Sequence, residues 1–221
     1  ISPFLFTIYV SDMESWITEG TLSCYADDTG MMTFGETREE ALCKLEKATA
    51  EIFKFFSSNQ LVANESKTSF FVIRTPRDRD TASYTLRVGN SYCGESDSIC
   101  LLGVTITKNL TWEKHIDNVV SSLRSNNGLI SRITTYIPNK LVTPLIQGLI
   151  LSKIRYCLPI FCDIRTCQMD PQARKMQDLQ VQLNNALRIV NGSKISDRIE
   201  IADLLNKTKT PSVNHSQPKC R

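Results

Sequence analysis

No C-x-x-C pair occurs anywhere in the chain, and only two histidines, His115 and His215, are present. Without clustered thiols or a histidine pair, a structural zinc site has no ligand spacing to draw on. The eight cysteines, at 24, 43, 93, 100, 157, 162, 167 and 220, are too scattered for a dense disulfide scaffold. Cys157, Cys162 and Cys167 are five apart, which spreads them around a helix, and all eight read as reduced, mostly packed thiols. Long apolar runs are also missing. Ile1 to Val10 is too short to span a bilayer, and no basic segment precedes it as a signal peptide requires. Membrane insertion and secretion are therefore not expected, and the N-x-S/T sequons at Asn64, Asn109, Asn191, Asn206 and Asn214 read as accidental.

What the chain does have is length and an uneven charge. Its 221 residues and 41% hydrophobic content allow a substantial core in one large or two small domains. The net charge of +3 conceals a division. Residues 1–111 hold 10 Lys/Arg against 15 Asp/Glu, whereas residues 112–221 hold 16 against 8. Such opposition is expected where one half holds cations and the other grips polyphosphate.

The most informative stretch is Cys24-Tyr25-Ala26-Asp27-Asp28-Thr29. Successive side chains on a strand point to opposite faces, so adjacent aspartates address one spot only where the backbone turns. Leu22–Tyr25 reads as a strand and Met31–Phe34 as its return, with turn-tolerant Asp27, Asp28 and Gly30 between. Two like charges at one tip repel unless a cation neutralises them. A hard divalent cation with oxygen ligands, such as magnesium, does so, and paired metals roughly 4 Å apart serve in-line nucleotidyl transfer.

Around this tip the chain first alternates helix and strand. A helix is expected from Ser2, as cap, and Pro3 toward Asp12, and a second from the capping box Thr37-Arg-Glu-Glu40, with Leu42, Leu45, Ala48, Ile52, Phe55 and Phe56 as one buried stripe. Strands are expected at Ser69–Ile73, Tyr84–Val88, Ser91–Cys93 (a hairpin across Gly89-Asn90) and Ile99–Thr107, with a charged loop at Arg74–Thr81. From Leu110 the periodicity is helical only. One helix or a broken pair runs from Trp112 to Ile137 with Gly128 as the break; a second occupies Leu141–Phe161, punctuated by Pro144 and Pro159; a third occupies Gln172–Asn191, stopped by Gly192. The expected class is α+β, with an antiparallel sheet followed by an all-α part. The domains are read as 1–109, 110–205 and a disordered tail at 206–221.

In this order the pieces ISPFLFTIYVSDM, YADDT, LVANESKTSF, LLGVTI, LTWEKHI and LQVQLNNALRIVNG resemble the C-terminal palm and thumb portion of a reverse transcriptase from a jockey-like non-LTR retrotransposon, over almost the whole chain to about residue 192. The resemblance implies that Asp27 is the principal magnesium ligand, manganese being a substitute, and Asp28 a supporting carboxylate. It places Tyr25 near the primer terminus and Lys67 near the leaving pyrophosphate, where positive charge stabilises the transition state. Leu102, Gly103 and Val104 would form the primer-grip hairpin, with glycine allowing close backbone approach. From Trp112 onward the chain would be the thumb, with Arg124, Arg132, Lys140, Lys153 and Arg155 as phosphate contacts; His115 is read as a packed structural residue. The implied partners are an RNA template, a DNA primer and, in the intact parent, a dNTP; the implied location is nuclear or cytoplasmic.

Two departures accompany the resemblance. The family's first catalytic Asp, on an F-x-D strand, and its Gln-Gly motif correspond to positions ahead of Ile1. Phe161-Cys-Asp163 imitates the F-x-D strand but falls at the end of an apolar helix. The chain, which begins with Ile1 rather than methionine, is therefore read as a fragment inactive by itself. The alternative readings are a non-catalytic nucleic-acid-binding remnant or domesticated host protein, and a maturase or RNA-templated RNA polymerase, against which LTWEKHI argues.

Overall fold

A computed structural model describes residues 1–74, 82–161 and 171–193, the side chains of 171–174 excepted. The expected tail at 206–221, Cys162 and Asp163 of the F-x-D imitation, and all but the first residue of the Arg74–Thr81 loop lie outside the described residues. The chain divides into two compact units, Ile1–Ile99 and Cys100–Arg221. The class is α+β, with small antiparallel sheets and a helical C-terminal portion.

The first unit is built on α2, Arg38–Ser58. Thr37 caps it by accepting from the Glu40 N–H at 3.2 Å, and the Glu40 carboxylate reaches back to the Glu36 N–H at 2.9 Å. The capping box is thus formed, with its reciprocal bond one residue earlier than the sequence suggests. The Lys44 ammonium hydrogen-bonds Glu40 and holds its carboxyl below the usual range. At the other end Gln60 takes a positive φ of 55°, and Leu61 N–H bonds Phe56 O at 2.8 Å, closing the last carbonyls.

The expected single stripe on α2 serves two separate clusters. Ile52 and Phe55 pack with Met13, and Trp16 stands edge-on to Phe55 at 5.7 Å. Leu42, Leu45 and Phe53 instead support Phe70, Leu86 and Val88. Each fully buried side chain of this size contributes about 1.5–3 kcal/mol.

Strands β1 (Thr21–Tyr25) and β2 (Asp28–Met32) form one two-stranded sheet; β3 (Thr85–Val88) and β4 (Ser91–Gly94) form another. The expected strand at Ser69–Ile73 is reduced to one isolated parallel bridge between Phe70 and Glu95. Phe70 is buried, Phe71 and Val72 are half-buried and Ile73 is exposed, and the backbone finds a single partner instead of a ladder. Helix α1, Ser2–Tyr9, buries none of its residues, and Ser2 lies inside it rather than capping it.

In the second unit, the expected strand Ile99–Thr107 is two strands. β5 (Ser98–Leu101), which carries the boundary between the units, pairs with β6 (Val104–Thr107) around Leu102-Gly103. Both loop residues have positive φ, +48° and +80°, the signature of a type I′ hairpin, so a two-residue reversal replaces continuous extension.

Helix α3 runs unbroken from Glu113 to Ile133, so Gly128 does not end it. A glycine there costs about 1 kcal/mol against alanine, less than is returned by burying Ile116, Val120, Leu123 and Ile130 on one face. Helix α4 (Asn139–Ile146) continues through a π-helical turn, Gln147–Leu151, into α5 (Ser152–Arg155). The helix then breaks at Tyr156, extended, and Cys157, whose φ is +56°, before α6 (Leu158–Phe161). Helix α7 (Pro171–Val190) closes with Gly192 at φ +65° and Ser193 N–H on Arg188 O at 3.0 Å, a Schellman end as expected.

One continuous core joins α3 to α7: Leu123, Ile130, Ile150, Leu179, Leu183 and Ala186 are fully covered. No helix among the described residues is long and apolar enough to cross a membrane. The described cysteines are free thiols as expected, but most are not packed: Cys24, Cys43 and Cys100 are exposed, while the half-buried Cys93 and Cys157 pack against apolar clusters.

Candidate functional site

The acidic hairpin is the first half of the candidate site. β1 and β2 pair from Thr21↔Met32 to Tyr25↔Asp28, leaving Ala26-Asp27 as a two-residue loop. Positive φ at Ala26 alone, 53°, is the sign pattern of a II′ turn. The turn puts Asp27 at the tip and Asp28 on the first rung of β2, directly opposite Tyr25, and all three are exposed. Neither aspartate takes a hydrogen bond or ion pair from the described residues. Desolvation pushes the pKa of the neighbouring Cys24 thiol up.

The other acids of this unit are used differently. Glu51 accepts from Thr18 N–H at 2.9 Å and from its hydroxyl at 2.8 Å. Glu95 receives Arg74 at 2.8 Å inside the fold, where the two side chains are 8% and 4% exposed. Glu65 accepts from the Ser91 hydroxyl and from Asn90 N–H at 3.4 Å. These carboxylates satisfy backbone and hydroxyl donors; Asp27 and Asp28 do not. That division qualifies the expectation that the acidic half is acidic in order to hold cations.

Lys67 ends a single 3₁₀ turn, Glu65–Lys67, in which its N–H bonds Asn64 O at 3.1 Å. Glu65 anchors this turn to the β3–β4 loop, and Cys93 Sγ bonds Thr68 O at 3.3 Å. Lys67 itself is exposed.

In the second unit, Leu102 and Gly103 occupy the β5–β6 turn, and Val104 opens β6 with its side chain buried. At Gly103 a positive φ of 80° favours glycine whatever space is present. Three side chains of the helices reach this hairpin. Tyr156 donates its hydroxyl to Leu102 O at 2.6 Å. His115 Nδ1 accepts from Thr105 N–H at 3.3 Å, and Asn118 donates to Thr105 Oγ1 at 3.1 Å. His115 is 3% exposed and edge-on to Phe161 at 5.0 Å; burial lowers its pKa. It is the packed structural residue that the sequence suggested.

The basic residues of the helices are on the surface. Arg124, Arg132, Lys140, Lys153 and Arg155 are all exposed. Arg132 folds back onto Gly128 O at 3.2 Å, and Lys153 bonds the Ser122 hydroxyl. Lys175 is taken by Asp117. Reading the sequence missed Tyr156 and Glu65. Tyr156 stands in no motif and Glu65 lies within LVANESKTSF without a role there, and their partners Leu102 and Ser91 lie 54 and 26 residues away.

These features define an α+β protein whose exposed chemistry is an acidic β-turn. Residues 1–106, just under half of the chain, match a family described as reverse transcriptase (RNA-dependent DNA polymerase). The acidic turn, Lys67 and the Leu102-Gly103-Val104 turn all fall inside the match; the basic helical residues fall beyond it. Compared with the curated proteins and with the solved structures, the chain matches none.

Two adjacent carboxylates fit part of a magnesium site. Magnesium is commonly held by one or two carboxylates, with water and substrate phosphate supplying the remaining oxygens. Among the described residues no third acid, histidine or cysteine joins them to make a protein cage.

Proposed function

We propose that the chain is the palm and thumb portion of an RNA-directed DNA polymerase from a jockey-like non-LTR retrotransposon. The observation that carries this reading is the exposed Asp27-Asp28 turn opposite Tyr25, within the stretch similar to reverse transcriptases.

In the intact parent, a primer 3′ hydroxyl attacks the α-phosphate of a dNTP and pyrophosphate leaves. Asp27 and Asp28 would hold magnesium, which supplies charge neutralisation at the phosphate oxygens. With Asp27 at the tip and Asp28 on the first rung, both exposed, the carboxylates are accessible to a phosphate that could not enter a buried site. Tyr25, across the ladder from Asp28, would lie beside the primer terminus. Lys67, on its anchored turn, would face the departing pyrophosphate and offset its charge. The backbone at Leu102-Gly103 would meet the primer strand, and Arg124, Arg132 and Lys140 would bind phosphates nonspecifically.

The family's F-x-D aspartate has no matching residue in this chain, so in this reading the chain alone is inactive. Primer extension on an RNA template tests it. The expected result is no product; magnesium-dependent synthesis abolished by Asp27→Ala would refute the inactivity and establish the aspartate's role at once. The second reading, a non-catalytic nucleic-acid-binding remnant or domesticated host protein, draws on the exposed basic residues of the helices. It requires duplex binding that weakens steeply with salt and does not change in Asp27→Ala.

A further inference from the structure

The β5–β6 turn holds an outlier. Leu102 adopts a left-handed φ of +48°, a region favoured by glycine, asparagine and aspartate, and its side chain is 40% exposed. An apolar side chain in a disfavoured conformation, standing partly in solvent, gains little from local packing. Strain of this kind persists where surrounding structure over-determines it, and such positions concentrate at functional sites.

The over-determining contact is Tyr156. Its hydroxyl donates to the carbonyl of Leu102 itself at 2.6 Å. Its ring lies 3.7 Å from where a Cβ on Gly103 would stand, so it covers the second residue of the turn as well. Tyr156 comes to this position through a second outlier. The helix that delivers it stops at Arg155, Tyr156 is extended at ψ 118°, and Cys157 is left-handed at φ +56°. Had α5 continued through Tyr156, that residue would have kept helical dihedrals. The β6 strand just beyond the turn is fixed independently at Thr105 by His115 and Asn118. Tyr156 therefore sets the tip, while Thr105 has anchors of its own.

We propose that Tyr156 is a positioning residue for the Leu102-Gly103 turn, locking it in the shape that contacts a nucleic-acid duplex. This rests on the reading of that turn as a nucleic-acid contact. The hydroxyl matters more than the ring, since it alone restrains the Leu102 peptide.

The experiment uses the full chain, wild type and Tyr156→Phe. Two quantities are measured: the affinity for a fluorescent RNA–DNA primer-template duplex by anisotropy, and the exchange rates of the Gly103, Val104 and Thr105 amides by NMR. The variant keeps the ring, and the thermal unfolding midpoint shows that it remains folded. The expected result is affinity weakened about three- to ten-fold, the range of one net hydrogen bond, with faster exchange at Gly103 and Val104 and unchanged exchange at Thr105. Wild-type binding with Tyr156→Phe equal to it overturns the inference alone. Weaker binding with faster exchange at Thr105 as well also overturns it, because the separately anchored strand would then have moved. No binding by the wild-type chain overturns the nucleic-acid reading, and this inference with it.

Discussion

The two units solve the problem of cohesion with different chemistry. The first has two small apolar clusters, around Phe55 and around Phe70, and ties its loops with buried or half-buried carboxylates such as Glu95 and Glu65. The second gathers α3, α4, α5, α6 and α7 around one apolar core from Ile116 to Leu187. Its buried polar contact there, Asn127 Nδ2 to Gln182 O at 3.0 Å, lies between helices already held by leucines. The difference teaches how to read an excess of acid. In the first unit Glu51, Glu65 and Glu95 are taken up by partners within the fold, whereas the exposed Asp27 and Asp28 are not.

The sharpest way to break this comparison is to remove one key group from each unit. Arg74→Met leaves the buried Glu95 without its cation, its carboxylate still bonded by the Tyr84 N–H at 3.3 Å, and should cost about 3–5 kcal/mol. Leu183→Ala opens a cavity in the apolar core and should cost about 2–5 kcal/mol. Chemical denaturation followed by NMR peaks from each unit checks both. The division fails if Arg74→Met is as mild as an exposed substitution, since the polar lock would then not hold the first unit.

A pH series sharpens the contrast inside the second unit. His115 Nδ1 must be unprotonated to accept from Thr105 N–H, and its pKa lies below the usual value because it is buried. The unfolded chain takes up a proton near pH 6.5, whereas the folded chain does so only at lower pH. Stability from this residue is therefore full above that range, declines as pH falls through it, and levels off once the folded His115 is protonated. Unfolding free energies measured from pH 8 to pH 5 should show the decline in the wild type and a flatter profile in His115→Asn. Equal profiles would mean that His115 does not anchor β6.

The smallest expected effect has the opposite sign. A Cβ at Gly128 meets nothing within 4 Å, and the residue lies in the middle of α3. Gly128→Ala should stabilise the chain by about 0.4–1 kcal/mol, seen as a raised unfolding midpoint. A loss of stability there would contradict the continuous helix.

Much of the layout was legible in the residues because it depends on local chemistry. The Thr37–Glu40 cap, the Gly89-Asn90 reversal, the Gly192 stop and the acidic turn each follow from side chains within a few positions of one another. Ser69–Ile73 and Ile99–Thr107 were misread for a shared reason. Both are apolar runs, and burial does not specify whether the backbone finds a partner strand, as Phe70 barely does, or folds back upon itself, as at Leu102-Gly103. Gly128 misled in the other direction, because packing outweighed intrinsic propensity.

The sequence by itself determined that two adjacent acids sit where the chain reverses, since turn-forming residues and period-two strands act over a few bonds. Only the tertiary structure decided which acids are spent as scaffold, and that Tyr156 holds the peptide of Leu102. Those are pairings between residues 21 to 54 positions apart, and such distances close only when burial of the intervening apolar side chains has folded the chain.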